Sequence, residues 1–145
     1  MRISHILLPV DGSTYSDNAV DYAIFLARLS GATITAVSCY EWVGGTPDIA
    51  ESVLADLREK LRLQADSVLA DAAAKLTGSG IAHDTRSISG SPGTLLSNLA
   101  KSGEFDLIVM GSHGHSDIAG LFLGSVTHKV LNTIYCPVLV VPESS

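Results

Sequence analysis

Three glycines and a serine near the C-terminal end of the chain have the spacing of an anion-binding loop. Gly111, Gly114, Gly124 and Ser125 form the pattern G-x2-G-x9-G-S. Glycines let successive backbone N–H groups approach a phosphate closely, and a final Gly-Ser can begin a helix whose N-terminus attracts negative charge. Glycines at this spacing also occur in simple turns, with the serine as a helix cap, so the pattern needs a structural context.

Two predicted strand ends supply that context. The apolar run 105–110 is typical of a buried strand and leads directly into Gly111. The run 3–10 is almost continuously apolar, as expected for a strand buried on both faces of a parallel sheet, and it ends at Asp11. If the two strands are neighbours, the glycine-rich loop and the Asp11 carboxylate face each other across a crevice.

The rest of the chain alternates short apolar runs with longer stretches of helical period. The predicted strands are 3–10, 32–39, 81–88, 105–110 and 138–141, and the helices lie between them. This alternation predicts an α/β fold, a doubly wound five-stranded parallel sheet of order 3-2-1-4-5 with helices on both faces, in a Rossmann-like arrangement. The strand order then reverses between the first and fourth strands, which favours phosphate binding over a simple turn.

Composition and charge narrow the class of protein. The 145 residues are 46% hydrophobic and 17% charged, which predicts a single folded domain over 1–145. A net charge of −6 with scattered Lys and Arg argues against binding to nucleic acid or to an anionic membrane. The first apolar run is too short for an export signal or a membrane span, so we expect a cytoplasmic protein.

The cysteines and the paired histidines do not form a metal-binding pattern. Cys39 and Cys136 are far apart and belong to no C-x-x-C motif, which favours two small buried hydrophobic residues in a reducing compartment. His113 and His115 lack a third ligand at a recognisable spacing, so we interpret them as loop donors. We therefore expect no metal site built by the protein.

Several segments together resemble a known family. Val-Met-Gly-Ser-His-Gly at 109–114, Leu-Gly-Ser-Val at 123–126 and Cys-Pro-Val-Leu-Val-Val at 136–141 resemble the C-terminal signature of the ATP-binding branch of the universal stress proteins. The resemblance extends to Ile-Leu-Leu-Pro-Val-Asp-Gly-Ser at 6–13 and to Gly-Ser-Pro at 90–92, and so covers essentially the whole chain.

The resemblance implies ATP, with or without Mg²⁺ on its phosphates, at the carboxyl edge of the sheet. The residues implied to border the adenosine are Pro9, Val10 and Asp11, with Ser38 and Cys39 against the adenine. Those implied to meet the ribose and the phosphates are Met110, Gly111, Ser112 and Gly114, with Gly124, Ser125 and Val126 completing the phosphate loop. The family also implies a homodimer built through the last strand, here Pro137 to Pro142.

One position departs from the family pattern. In many members of the family the second glycine is followed by Arg or Lys. In this chain the corresponding Gly114 is followed by His115. A neutral imidazole offers less charge to phosphates than a guanidinium does. We expect His115 to border the nucleotide and the affinity for ATP to rise as the pH falls and the imidazole becomes protonated.

Three functions are compatible with these features. The first is a stress-response module in which ATP orders the 111–125 loop and so alters a surface read by another protein. The second is a slow ATPase that uses the same pocket, with Asp11 as a general base; the chain lacks the G-x-x-x-x-G-K-[ST] lysine, which favours an orienting role for Asp11. The third, a flavodoxin-like domain, is disfavoured because the glycine-rich loop follows the fourth strand and not the first.

Overall fold

A computed structural model describes residues 1–41, 48–115, 117, 120, 122–133 and 135–143. The strands are β1 His5–Pro9, β2 Thr33–Tyr40, β3 His83–Ser89, β4 Leu107–Gly111 and β5 Val138–Val141. The helices are α1 Thr14–Ser30, α2 Glu51–Gly78, α3 Pro92–Lys101 and α4 Ser125–Asn132. Among these helices none is both long and apolar enough to cross a membrane.

All strands pair in parallel in the order β3-β2-β1-β4-β5, which confirms the predicted fold class and strand order. β1 is central, because Ile6 is aligned with Ile34 on one side and with Leu107 on the other. β3 lies at one edge and alternates between exposed and half-buried residues, as its polar sequence predicts. The reversal of strand order therefore falls between β1 and β4.

The core lies on both faces of the sheet. Ile6 and Leu8 point toward the face covered by α1 and α2, whereas Leu7 points toward the face covered by α3 and α4. All three side chains are fully buried. This burial explains the uninterrupted apolar sequence of the central strand, since both of its faces are covered.

The residues at both ends of α1 are types that commonly begin and end helices. Ser13 is the N-cap, and its hydroxyl accepts a hydrogen bond from the Ser16 N–H at 3.2 Å. Gly31 ends the helix with a φ of 76°, a left-handed conformation that favours glycine.

The beginning of β1 differs from the prediction by two residues. The strand starts at His5 and not at residue 3, because the Ser4 N–H donates at 2.8 Å to the Asp106 carboxylate. The same carboxylate accepts from the His5 N–H at 3.0 Å. The Asp106 side chain, just before β4, thus holds the amino end of β1 in place.

Candidate functional site

A cavity of about 190 Å³ opens at the carboxyl ends of β2, β1 and β4, where the strand order reverses. It lies on the sheet face covered by α3 and α4. Its apolar wall near β2 and α3 is formed by Val37, Cys39, Leu96 and Met110. Its polar side is formed by the loop after β4 and by the first turn of α4. The cavity therefore combines an apolar wall with a polar side, as small-molecule sites usually do.

Asp11 connects the two loops that the sequence placed together. One of its carboxylate oxygens accepts a hydrogen bond from the Ser13 N–H at 2.9 Å, and the other accepts from the His115 N–H at 3.0 Å. A Cβ added at Gly114 would lie 2.6 Å from the second oxygen. A glycine at this position is therefore required for the loop to approach the tip of β1 so closely.

Three donors on the polar side converge on one carboxylate, that of Asp117. The Gly114 N–H donates to one oxygen at 2.6 Å. The Ser125 N–H and hydroxyl donate to the other oxygen at 3.1 and 3.2 Å. Ser125 is the first residue of α4, so the carboxylate also lies at a helix N-terminus. We call the Gly114 and Ser125 donors the anion cradle.

The anion cradle favours a charged occupant. Partial burial raises the pKa of Asp117, but the hydrogen bonds from Gly114 and Ser125 outweigh that effect and hold this pKa below the usual aspartate value. The carboxylate is therefore ionised at neutral pH. The site thus contains donors that are arranged around a negative charge.

A second layer of hydrogen bonds holds the cradle in place. The Gly124 N–H donates to the Ser112 carbonyl at 2.8 Å, and the Ser112 N–H donates to the Val141 carbonyl at 2.8 Å. The buried Thr127 hydroxyl donates to the Gly111 carbonyl at 2.8 Å. These contacts connect the start of α4 to the ends of β4 and β5.

Two other side chains shape the cavity. The ring of His113 lies 5.0 Å from that of Tyr15 between centroids, and the Nδ1 atom of His113 lies 2.9 Å from the Ser112 hydroxyl. Burial raises the pKa of the Cys39 thiol to about 11, so this side chain remains a neutral part of the apolar wall at physiological pH.

Most of the residues predicted for the site lie in the cavity wall: Pro9, Val10, Asp11, Cys39, Met110, Gly111, Gly114, His115, Ser125 and Val126. Ser38 does not line the cavity, because successive side chains of β2 point to opposite faces and Cys39 occupies the cavity face. Ser112 and Gly124 are buried behind the wall, where their N–H groups serve the backbone contacts described above.

Sequence reasoning missed several lining residues. Asp117 and His113 belong to the loop whose glycines were identified, but neither was assigned to the site. Pro92 and Leu96 come from α3, which begins at the carboxyl edge of the sheet, so its first turn reaches the same cavity. The Ser91-Pro92 helix start was the available signal for this contribution. Within the described ranges, no three or more His, Cys, Asp or Glu side chains are grouped as a metal site would require.

An open parallel α/β sheet with a cavity at its reversal point belongs to the doubly wound class of proteins, which bind their ligands at this place. Comparison with known proteins gives the family. The model of the universal stress protein family matches residues 2–142, and the chain belongs to that family. Universal stress protein YxiE of Bacillus subtilis is 32% identical over 143 residues, which cover 94% of this chain and 97% of YxiE.

Two solved structures are similar over nearly the whole chain. Universal stress protein UspA from Lactobacillus plantarum has a TM-score of 0.87 at 26% identity, and the match covers 97% of this chain and 99% of that one. A universal stress protein in complex with cAMP has a TM-score of 0.73 at 27% identity, covering 99% of this chain and 100% of that one.

Proposed function

We propose that this chain binds an adenine nucleotide in the cavity at the carboxyl edge of the sheet, with ATP as the physiological ligand, and acts as a nucleotide-responsive regulatory module. The observation that carries the proposal is the convergence of the Gly114 N–H, the Ser125 N–H and the Ser125 hydroxyl on a single anionic group. Donors arranged around one negative charge at a helix N-terminus suit a phosphate group.

The base would lie against the apolar wall. Val37, Cys39, Leu96 and Met110 offer an apolar, neutral surface next to the end of β1. Burying a nucleobase there removes apolar surface from water, which is favourable at about 25 cal/mol per Å². Support for adenine over another base comes from a relative of similar structure that is a complex with cAMP.

The phosphates would extend from this wall toward the loop after β4. Gly111, Gly114 and Ser125 all line the cavity, and the N–H groups of Gly114 and Ser125 donate to the same carboxylate. Mg²⁺ bound to the phosphates would offset part of the negative charge that Asp11 and Asp117 bring to this side. The placement agrees with the phosphate-loop role expected for the G-x2-G-x9-G-S pattern.

Binding, and not rapid hydrolysis, is the activity that the geometry supports. Both oxygens of Asp11 accept hydrogen bonds from backbone N–H groups, those of Ser13 and His115. A carboxylate held in this way by two backbone donors positions two loops and can orient a ligand. Asp11 therefore has an orienting role in the proposed mechanism.

The wider proposal includes a homodimer and a cytoplasmic location. β5 is an edge strand of the sheet, and its Val138, Leu139 and Val140 are only half-buried in the single chain. An apolar edge strand is suited to pairing with a second copy, which supports dimerisation through Pro137 to Pro142. A change in the loop after β4 would reach this surface through the Ser112 to Val141 hydrogen bond.

Isothermal titration calorimetry with ATP, AMP, adenosine and GTP tests the proposal. We expect binding of the adenine ligands with one site per chain and at least tenfold weaker binding of GTP, a difference of about 1.4 kcal/mol. Absence of ATP binding at millimolar concentration, or equal affinity for GTP, would refute it. A single-turnover assay with ATP and Mg²⁺ separates binding from turnover, since fast hydrolysis that is lost in Asp11→Ala would contradict the orienting role.

A further inference from the structure

The carboxylate of Asp117 occupies the anion cradle in place of a ligand. One of its oxygens accepts from the Gly114 N–H at 2.6 Å, and the other accepts from the Ser125 N–H and hydroxyl at 3.1 and 3.2 Å. These are the donors that a phosphate group would use. The chain therefore carries its own anion at the position that the proposed function assigns to a phosphate.

There is no room for a phosphate oxygen and this carboxylate together. A Cβ added at Gly124 would lie only 2.2 Å from the Asp117 oxygen that Gly114 binds, and 2.9 Å from the His113 Cα atom. The carboxylate thus fills the space left by the missing side chain at Gly124. A phosphate can reach the same donors only after Asp117 has moved away.

Hydrogen bonds that do not involve Asp117 hold the residues next to the donors. The Gly124 N–H donates to the Ser112 carbonyl at 2.8 Å, and the Thr127 hydroxyl donates to the Gly111 carbonyl at 2.8 Å. On the opposite side, the His115 N–H is held by Asp11 at 3.0 Å. Because these contacts hold both sides of the cradle, we expect the donors to stay in place when the Asp117 side chain is removed.

Asp117 itself is the easier part to displace. It lies outside any helix or strand and is half-buried, with a path to solvent. Its own N–H makes a hydrogen bond of 3.3 Å to the Gly114 carbonyl, slightly longer than the usual range. Displacement exchanges one anion for another on the same donors and leaves the carboxylate close to the incoming negative charge.

The geometry points to Asp117 as a specificity-determining residue that competes with the phosphates for the anion cradle and so lowers the affinity for ATP more than the affinity for AMP or adenosine. This inference rests on the proposed function and deepens it. The penalty grows with the charge of the phosphate chain, because the displaced carboxylate repels each additional charge nearby. Adenosine, which has no phosphate, leaves Asp117 in place.

Calorimetric titrations of the full chain with adenosine, AMP and ATP test the inference, with EDTA present so that no divalent cation bridges the anions. The variants are Asp117→Ala and Asp117→Asn. Asp56→Ala is the matched control, because it removes an exposed carboxylate on α2 and changes the net charge equally. We expect Asp117→Ala to raise the affinity for ATP about tenfold or more, that for AMP by a smaller factor, and that for adenosine by less than about twofold.

The two other variants sharpen the result. Asp117→Asn should fall between the wild type and Asp117→Ala, since an amide keeps the size but offers an N–H₂ group to donors that need an acceptor. Asp56→Ala should leave all three affinities unchanged. The same factor for all three ligands, no change, or a lower affinity for ATP in Asp117→Ala would overturn the inference.

If the chain does not bind adenine nucleotides, so that the proposed function is wrong, the titrations give a different result. In that case neither the wild type nor Asp117→Ala binds adenosine, AMP or ATP. A titration with inorganic triphosphate then decides the role of Asp117 by itself. Tighter binding of triphosphate to Asp117→Ala than to the wild type supports competition for the cradle, whereas equal binding overturns it.

Discussion

Replacing Gly124 by alanine adds one methyl group at the position where the anion lies. Gly124 is the N-cap of α4 with φ of −69° and ψ of 158°, a backbone conformation that alanine adopts without strain. The added Cβ would lie 2.2 Å from an Asp117 carboxylate oxygen and 2.9 Å from the His113 Cα atom. The first contact expels any anion from the cradle, and the second pushes on backbone.

The expected losses of stability and of affinity for AMP in Gly124→Ala follow from these contacts. Overpacking against backbone costs about 1–3 kcal/mol of stability. A phosphate pushed out of reach of one of these N–H groups, that of Gly114 or that of Ser125, loses a hydrogen bond to a charged group, which contributes about 1.5–3 kcal/mol. Since about 1.4 kcal/mol corresponds to a factor of ten, the affinity for AMP should fall by roughly ten- to a hundredfold.

Calorimetry with AMP and adenosine, together with thermal unfolding, measures both effects. Adenosine should bind Gly124→Ala as it binds the wild type, within about twofold, because the apolar wall is untouched. Gly78→Ala is the matched control, since a Cβ at this position meets no atom within 4 Å. Wild-type affinity for AMP in a folded Gly124→Ala protein would refute the assignment of the phosphate position.

Three further predictions concern other parts of the site and the fold. Thr127→Val should lower the free energy of unfolding by about 1–3 kcal/mol and weaken AMP binding, because the buried Gly111 carbonyl loses the hydroxyl donor. Alkylation of Cys39 at pH 7.5 should be slow, since burial raises its pKa to about 11, and ATP should slow it further by covering the cavity wall. Acid should destabilise the wild type more than Asp106→Asn in urea titrations between pH 7 and pH 3.

The direction of the effect of pH on stability follows from the two hydrogen bonds that the Asp106 carboxylate accepts from backbone N–H groups. Hydrogen bonds from the Ser4 N–H and then from the His5 N–H lower the pKa of Asp106. The stabilisation is therefore present at neutral pH and is lost as the pH falls through this lowered pKa. Parallel loss of stability in wild type and Asp106→Asn would contradict this account.

Controls for the other two predictions lie within the same chain. Thr133→Val, at the exposed end of α4, should change stability by less than about 0.5 kcal/mol. Cys136 does not line the cavity, so ATP should leave its alkylation rate unchanged. Equal protection of both thiols, or equal losses of stability in both threonine variants, would count against the site as described.

The sheet could be predicted because its determinants are local and repeated. Each short apolar run is followed by a helical period and a turn, and right-handed crossovers then leave few possible strand orders. That strand order places Asp11 next to the glycine-rich loop. The structure shows this contact as a hydrogen bond from the His115 N–H to the Asp11 carboxylate. Glycine at 114 is explained by the same close approach.

The errors in the predicted site arise where the position of a side chain depends on the exact register of a strand or on the conformation of a loop. Ser38 and Cys39 are neighbours on β2, and only the register of the strand decides which of them points toward the cavity. The position of Asp117 is set by donors that lie three and eight residues away along the chain. No periodic pattern in the sequence encodes such a contact.

A crystal structure of the protein grown with ATP would reveal at once which groups the phosphates contact. We expect phosphate oxygens within hydrogen-bond distance of the Gly114 and Ser125 nitrogens, the base against Cys39, and the Asp117 carboxylate displaced from the cradle. ATP bound elsewhere on the surface, or bound in the cavity with Asp117 still on these donors, would contradict this expectation.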